Sequence, residues 1–276
     1  MRFMKMHGAG NDFILITGEE AAGRDLSLLA RAVCHRRFGV GADGLMAALP
    51  SEQADIRMEY YNSDGSLAEM CGNGIRCFAR FVRETGLIRQ EGFTVETRAG
   101  IKTVRLREDN GRVLVRVSMG QAQPAAAEVP AVVEGPRVWG QPMTAAGATY
   151  PLYAIRMGVP HAVVFLETLD EAVTLAAGPV IERAQIFPQR TNVNFVQVVS
   201  RSALRVDTWE RGAGHTLACG TGVCASVWVA HARGLVDTVV HVTTPGGELT
   251  IRLEGEEVIM EGGAELICTG EYVEQA

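Results

Sequence analysis

The chain has 276 residues, of which 47% are hydrophobic and 21% are charged, and its formal net charge is −6. This balance is typical of a globular protein with one large domain or two ordinary ones, and the negative charge argues against nucleic acid or an anionic membrane as a partner. No apolar stretch is long enough to span a bilayer and the N-terminus lacks a signal-peptide core, so we predict a cytoplasmic protein with reduced cysteines.

Alternating hydrophobicity and turn residues predict a sheet-rich first half. Strands are predicted over residues 1–8, 13–17 and 54–62, and a helix over residues 24–37. A second helix is predicted over residues 72–85, where the apolar residues follow the 3.6-residue period and Gly86 can end the helix. Residues 93–120 alternate repeatedly, and Asn110-Gly111 predicts a hairpin between the last two strands.

The second half repeats this plan after a looser, proline- and alanine-rich stretch that begins near residue 119. A helix is predicted from Cys219 to Gly234, and strands over residues 153–157, 161–167, 192–200, 204–210, 239–247, 248–254 and 257–262. We therefore expect a first lobe over residues 1–118, which contains Cys71, and a second lobe over residues 119–265, which contains Cys219. The tail, residues 266–276, is expected to return to the first lobe.

An internal repeat links the two halves. Residues 71–82 read CGNGIRCFARFV and residues 219–230 read CGTGVCASVWVA, so each block is Cys-Gly-x-Gly followed by an apolar helix with a second cysteine. Asn62 precedes Cys71 by nine residues, as Glu210 precedes Cys219. A repeated supersecondary unit predicts two similar lobes that face each other with two similar cysteines.

The repeated motif suggests proton transfer by a pair of thiols. A cysteine at a helix start lies near unbonded backbone N–H groups, which favour an anion and can lower a thiol pKa. One thiolate could take a proton from a Cα atom while the other thiol delivers a proton to the opposite face. Pyridoxal phosphate is not expected, because the chain has two lysines, Lys5 and Lys102, and neither is placed to form a Schiff base.

Other motifs have plainer interpretations. Residues 39–44 fit G-x-G-x-x-G, but a predicted helix precedes them where a dinucleotide site needs a strand, so a nucleotide site is not expected. No metal site is expected, because the cysteines lack C-x-x-C spacing. The remaining cysteines, Cys34, Cys77, Cys224 and Cys268, are interpreted as small buried hydrophobic residues.

Over its full length the chain resembles diaminopimelate epimerase, and seven segments carry the resemblance. They are MKMHGAGNDF (4–13), GVGADG (39–44), YNSDGSLAEMCGNGIRCFARF (61–81), MGVPHAVV (157–164), RTNVNFVQ (190–197), ERGAGHTLACGTGVCAS (210–226) and TPGGEL (244–249). The resemblance implies an α/β (α+β) fold of two pseudo-symmetric lobes, each a curled, mostly antiparallel sheet around a central helix, with the site in the cleft. It also implies a homodimer.

The resemblance further implies cofactor-independent conversion of LL- to meso-diaminopimelate in lysine and peptidoglycan-precursor biosynthesis, with Cys71 and Cys219 as the catalytic pair. The substrate contacts that it implies are Asn11, Asn62, Gly72, Asn73, Asn192, Glu210, Arg211, Gly220 and Thr221. His161 and Glu210 correspond to polar residues close to the two thiols. Arg211 suits a distant carboxylate, which a guanidinium binds with two parallel hydrogen bonds.

Two alternatives remain open at this point. Many family members have asparagine where this chain has Val159, and some have glutamine where it has Gly44. These differences leave open a related racemase that works without pyridoxal phosphate and acts on histidine or proline. The other alternative is a non-catalytic or thiol-redox protein in which Cys71 and Cys219 form a switchable disulfide. Exchange of the Cα hydrogen with solvent would separate catalysis from redox chemistry.

Overall fold

The computed structural model describes residues 1–274 and divides into two compact units. One unit comprises Met1–Val117 with the chain from Glu261 onward, and the other comprises Ser118–Met260. Residues 275–276, the end of the tail predicted to return to the first lobe, lie outside the described residues. Within residues 1–274, no helix is both long enough and apolar enough to cross a membrane.

The first unit is a mixed sheet with a helix packed against it. Its elements are β1 (Arg2–Gly8), β2 (Asn11–Thr17), α1 (Gly18–Ala21), α2 (Leu26–Val33), β3 (Gly44–Leu49), β4 (Ile56–Asn62), α3 (Gly72–Glu84), β5 (Gly92–Thr97), β6 (Gly100–Asp109), β7 (Arg112–Gln121, which crosses the unit boundary) and, after the second unit, β17 (Glu265–Glu271). The strand order is β17-β1-β2-β3-β4-β5-β6. The β2–β3 and β4–β5 pairs are parallel, which requires a long connection, and the connection in each case contains a helix. The other pairs are antiparallel.

The second unit follows the same plan. Its elements are β8 (Trp139–Ala145), β9 (Ala148–Met157), β10 (Val159–Leu166), α4 (Glu171–Glu182), β11 (Asn192–Ser200), β12 (Ala203–Glu210), β13 (Gly214–Thr216), α5 (Gly220–Ala232), β14 (Val239–Thr244), β15 (Gly247–Glu254) and β16 (Glu257–Gly263, at the second boundary). The β10–β11 and β12–β14 pairs are parallel, and again a connection containing a helix joins the strands of each pair.

Strand pairing therefore repeats element by element along the chain. The β9-β10-β11-β12-β14-β15 series has the antiparallel and parallel pattern of β1-β2-β3-β4-β5-β6, and α5 occupies the place of α3. In α3 the four residues Ile75, Phe78, Ala79 and Val82 are fully buried, as their helical spacing predicts. The predicted sheet-dominated α+β class is confirmed.

Several predicted elements need correction. The helix predicted over residues 24–37 extends only from Leu26 to Val33, because the Asp25 side chain accepts hydrogen bonds from the Ser27 and Leu28 N–H groups and so caps the helix. At the other end, the Val40 and Gly41 N–H groups donate to the Val33 carbonyl, and the chain turns away. The sequence analysis did not predict α1, β3, β8, α4, β13 or β17. The Asn110-Gly111 hairpin between β6 and β7 is confirmed.

Candidate active site

Cys71 is the N-cap residue of α3, with extended backbone angles of φ −132° and ψ 125°. The Gly74 N–H group donates to the Cys71 sulfur at 3.5 Å, so the sulfur occupies the capping position that a serine or aspartate oxygen usually takes. The Cys71 thiol donates to Asn11 Oδ1 at 3.4 Å. The structure thus brings together two residues that the sequence analysis selected 60 positions apart.

Asp43 fixes the orientation of Asn11. The Asn11 side-chain nitrogen donates to Asp43 Oδ2 at 2.6 Å, and a carboxylate oxygen can only accept, so the amide oxygen must face the Cys71 sulfur. Asp43 in turn is paired with Arg36 at 2.7 Å. The sequence analysis did not single out Asp43, which lies in the glycine-rich segment 39–44.

Gly72 and Asn73 form the buried first turn of α3. The fully buried Arg76 donates to the Gly72 carbonyl at 2.9 Å, to Asn73 Oδ1 at 3.1 Å and to the Gly263 carbonyl at 3.2 Å. Asn73 therefore uses its side-chain oxygen within the protein. Gly72 and Asn73 supply the first two backbone N–H groups of α3, at the end of the helix that favours an anion.

Asn62 ends β4 and is held in the following turn. Its side-chain nitrogen donates to Ser66 Oγ at 2.9 Å, and its backbone N–H group donates to the Ser66 carbonyl at 2.8 Å. The side chain is only partly buried.

Cys219 caps α5 in the second unit, with φ −113° and ψ 107°. Its sulfur lies 3.4 Å from Thr221 Oγ1, and the carboxyl group of Glu210 is close enough to shift the pKa of the thiol. Burial, reinforced by the negative charge of Glu210, raises the pKa of the Cys219 thiol well above its ordinary value. A lowered pKa, which the helix-start position had suggested, is wrong for Cys219, because its sulfur accepts no capping hydrogen bond from the helix and burial dominates.

Glu210 ends β12, at the place that Asn62 occupies in the first unit. Thr216 donates to Glu210 Oε1 at 2.7 Å. Burial raises the pKa of the Glu210 carboxyl group, while the hydrogen bonds from Thr216 and Cys219 oppose that shift. A carboxyl group in contact with a thiol and with a raised pKa is suited to exchanging a proton with that thiol.

Asn192 and Arg211 are joined through the backbone. The Arg211 N–H group donates to Asn192 Oδ1 at 2.8 Å, and Asn192 Nδ2 donates to the Pro160 carbonyl at 3.1 Å. The Arg211 side chain is exposed, and its guanidinium group donates to the Gln189 carbonyl at 3.0 Å. Most of its five N–H donors thus remain available to a carboxylate.

His161 is fully buried on β10. Its Nδ1 atom lies 3.3 Å from Asn194 Nδ2, and its Nε2 atom has no hydrogen-bond partner among residues 1–274. Burial and the positive charge of Arg211 lower the pKa of His161 to about 3, so the imidazole is neutral at physiological pH.

The other cysteines separate into two groups. Cys34, Cys77 and Cys224 are buried, as expected, and burial raises the pKa of both Cys34 and Cys77 to about 12. Cys268 is exposed on β17, so its interpretation as a buried residue was wrong. The glycine-rich segment 39–44 follows α2 and leads into β3, the opposite of the strand-to-helix order that a dinucleotide site requires.

The second glycine of each Cys-Gly-x-Gly motif allows the helix to approach the sheet. A Cβ atom on Gly74 would lie 2.1 Å from Met46 Cε, whereas a Cβ atom on Gly222 would lie 2.1 Å from Asn194 Oδ1. The end of a methionine side chain can rotate away. The amide of Asn194 cannot, because hydrogen bonds to His161, Ala162 and Thr208 hold it.

We therefore expect the two glycine-to-alanine changes to differ in cost. Gly222→Ala should lower the free energy of unfolding by about 2–3 kcal/mol through overpacking. Gly74→Ala should cost less than about 1 kcal/mol, because displacement of Met46 is offset by the better helix propensity of alanine. Urea unfolding of both variants beside the unsubstituted protein measures this difference, and equal losses would contradict it.

Comparisons with known proteins agree on one family. The family model described as diaminopimelate epimerase matches residues 3–124 and 153–267. A relative named diaminopimelate epimerase from Alkaliphilus metalliredigens is 46% identical over 99% of this chain and 98% of its own length. A relative of the same name from Moorella thermoacetica is 47% identical over 99% of both chains.

A solved structure shares the fold at much lower sequence identity. A hydroxyproline epimerase from Agrobacterium vitis, with bound trans-4-OH-L-proline, superposes with a TM-score of 0.72 at 17% identity, over 99% of this chain and 90% of the other. This similarity establishes the fold alone.

Proposed function

The chain belongs to the diaminopimelate epimerase family, and from that premise we propose that it interconverts LL- and meso-diaminopimelate with Cys71 and Cys219 as acid and base. The activity is that of an isomerase that works without pyridoxal phosphate, in lysine and peptidoglycan-precursor biosynthesis. The observation that supports the thiol pair most strongly is the repeat: each unit has one cysteine as the N-cap residue of its central helix.

The reaction needs one base and one acid on opposite faces of the same Cα atom. The base, a thiolate, removes the Cα proton, and the electrons of the broken C–H bond delocalise into the neighbouring carboxylate. The acid, a thiol, delivers its proton to the other face, so a new C–H bond forms with inverted configuration. Charge balances, because the first sulfur ends as a thiol and the second as a thiolate.

The environment of Cys219 suggests which sulfur has which role at rest. Burial and the negative charge of Glu210 raise its pKa and so favour the neutral thiol, and we therefore assign Cys219 as the resting acid and Cys71 as the resting base. In the reverse direction Cys219 must first lose its proton, and Glu210 is the group placed to accept it.

The remaining site residues are proposed to bind and orient the substrate. The first-turn N–H groups at Gly72, Asn73, Gly220 and Thr221 suit a carboxylate on which negative charge accumulates in the transition state. Asn11, Asn62, Asn192 and Glu210 offer side-chain donors and acceptors for the ammonium and carboxylate groups. The exposed guanidinium group of Arg211 suits the carboxylate at the far end of diaminopimelate.

A substrate panel tests the proposed function against the related racemases. We expect kcat/KM for LL-diaminopimelate to exceed that for proline, trans-4-hydroxyproline and histidine by at least about 10³-fold, because a site built to bind a second polar end rejects molecules that lack it. Turnover is followed by chiral chromatography. A preference for proline or histidine would overturn the assignment, and the absence of turnover with every substrate would favour the redox alternative.

The proposal also includes a homodimer in the cytoplasm. A pair of catalytic thiols requires a compartment that keeps cysteines reduced. Sedimentation equilibrium of the reduced protein tests the dimer directly, since a concentration-independent monomer mass would contradict it.

A further inference from the structure

The two units differ in chemistry beneath the N-termini of their central helices. The register of β2 with β3 places Phe13 opposite Gly44 and Leu15 opposite Met46, and the register of β10 with β11 places His161 opposite Asn192 and Val163 opposite Asn194. His161 thus occupies the position of Phe13, and Asn194 that of Met46. Thr208, opposite Asn194, occupies the position of Tyr60, opposite Met46.

In the first unit two aromatic rings and a methionine occupy these three positions. The rings of Phe13 and Tyr60 pack edge to face with centroids 5.8 Å apart, and Met46 fills the space beneath Gly74. The second unit replaces this packing with a fully buried histidine, a fully buried asparagine and a threonine that is 3% exposed. The buried polar set is therefore not a requirement of the fold, because the same framework is built without it.

The hydrogen bonds of Asn194 determine its orientation. Its Nδ2 atom lies 3.0 Å from the Ala162 carbonyl, which can only accept, so that atom is the amide nitrogen. Thr208 donates to the opposite atom, Oδ1, at 3.2 Å. The second N–H of the Asn194 amide then points at His161 Nδ1, at 3.3 Å.

The orientation of Asn194 determines the tautomer of His161. Because the amide nitrogen is a donor, His161 Nδ1 must be the acceptor, and the ring proton lies on Nε2. That Nε2–H group is buried and has no acceptor in the described part of the chain. Buried donors in native proteins are normally satisfied, so an unsatisfied one that is close enough to Arg211 to feel its charge indicates a partner that arrives with the reaction.

We propose that Asn194 and Thr208 are positioning residues that hold His161 as the Nε2–H tautomer, and that this N–H group donates a hydrogen bond to an anion of the reacting complex. This inference rests on the proposed epimerase function. The anion is either an oxygen of the bound amino acid or a thiolate. His161 acts in both cases as a neutral donor, because burial lowers its pKa and keeps the imidazole uncharged.

Asn194→Asp tests the inference with little change in volume. The aspartate oxygens cannot donate to Nδ1, so we expect the proton of His161 to move to Nδ1 and kcat/KM for diaminopimelate to fall about 10²-fold, as for loss of one preorganised donor. Nitrogen-15 NMR distinguishes protonated from unprotonated ring nitrogens, and the spectrum of His161→Gln assigns the signals. A shift in the pH profile of kcat/KM identifies a thiolate as the acceptor, because loss of the donor raises the pKa of that thiol, whereas a fall in activity with an unchanged pH profile identifies a substrate oxygen.

Two further variants separate positioning from folding. Thr208→Val removes the donor that orients Asn194 and should mix the two tautomers with a smaller loss of activity. Thr174→Val makes the same replacement at a fully buried threonine on α4, whose hydroxyl has no partner within residues 1–274, and should leave both readouts unchanged.

The tautomer in the unsubstituted protein gives a test that does not depend on any variant. Protonated Nδ1 in that protein, or Asn194→Asp with unchanged kcat and KM, would overturn the inference. If the unsubstituted protein fails to convert diaminopimelate, the proposed function fails, although the tautomer can still be measured.

Discussion

Replacement of either Cys71 or Cys219 with alanine should lower kcat/KM for inversion by at least about 10⁴-fold. Each direction of the reaction needs a base on one face of Cα and an acid on the other, and groups that act as a unit lose nearly all of their effect when one is removed. Chiral chromatography of LL- and meso-diaminopimelate measures the loss. A single variant that retains one-tenth of the original rate would contradict the two-thiol mechanism.

The second cysteine of each motif provides a matched control. Cys77 and Cys224 lie on the same two helices and are fully buried. Cys77→Ala and Cys224→Ala should therefore retain activity within about threefold, despite a small loss of stability from the deleted sulfur atoms. Equal losses at the N-cap and internal cysteines would show that the effect comes from packing.

Substitution of the buried Arg76 should have the largest effect on stability. Arg76→Met leaves the Gly72 and Gly263 carbonyls and Asn73 Oδ1 without the donor that binds them in the structure. We expect the free energy of unfolding to fall by about 3–5 kcal/mol, because the three acceptors stay buried without the charged donor that had compensated for their loss of water. Urea unfolding monitored by circular dichroism measures the change.

Arg83 offers the control for this substitution, since it lies on the same helix and is exposed. Arg83→Met should change the free energy of unfolding by less than about 0.5 kcal/mol. If Arg76→Met costs no more than Arg83→Met, the buried guanidinium group does not hold the first turn of α3 as described.

The elements predicted most accurately are those in which hydrophobic period and end signals agree. Helix α3 has four core residues at helical spacing and Gly86 after its end, and its predicted and observed bounds differ by one residue. Helix α4 was not predicted, and it contains Gly178 and Pro179, which are unfavourable in a helix interior. Its sequence is explained by packing: a Cβ atom on Gly178 would lie 2.7 Å from the Trp209 side chain.

From the residues themselves, the sequence predicts only the part of the site that lies within the repeated Cys-Gly-x-Gly motif. Cys71 and Cys219 follow from the repeat, and the structure places both as N-cap residues. The hydrogen bond of Cys71 to Asn11 joins residues that are distant in sequence. The hydrogen bonds that link Thr208, Asn194 and His161 can be recognised only when the register of their strands is known. The raised pKa of Cys219 depends on burial, which a helix-start motif does not reveal.

The most direct test of the thiol pair is the reaction of reduced protein with LL-diaminopimelate in D₂O, without added cofactor. The two-thiol mechanism predicts meso product with deuterium at the inverted Cα, while unreacted LL substrate keeps its hydrogen early in the reaction, because the proton delivered comes from a thiol that has exchanged with solvent. Meso product that retains the original hydrogen, or no product and no exchange from folded protein with reduced thiols, would contradict it.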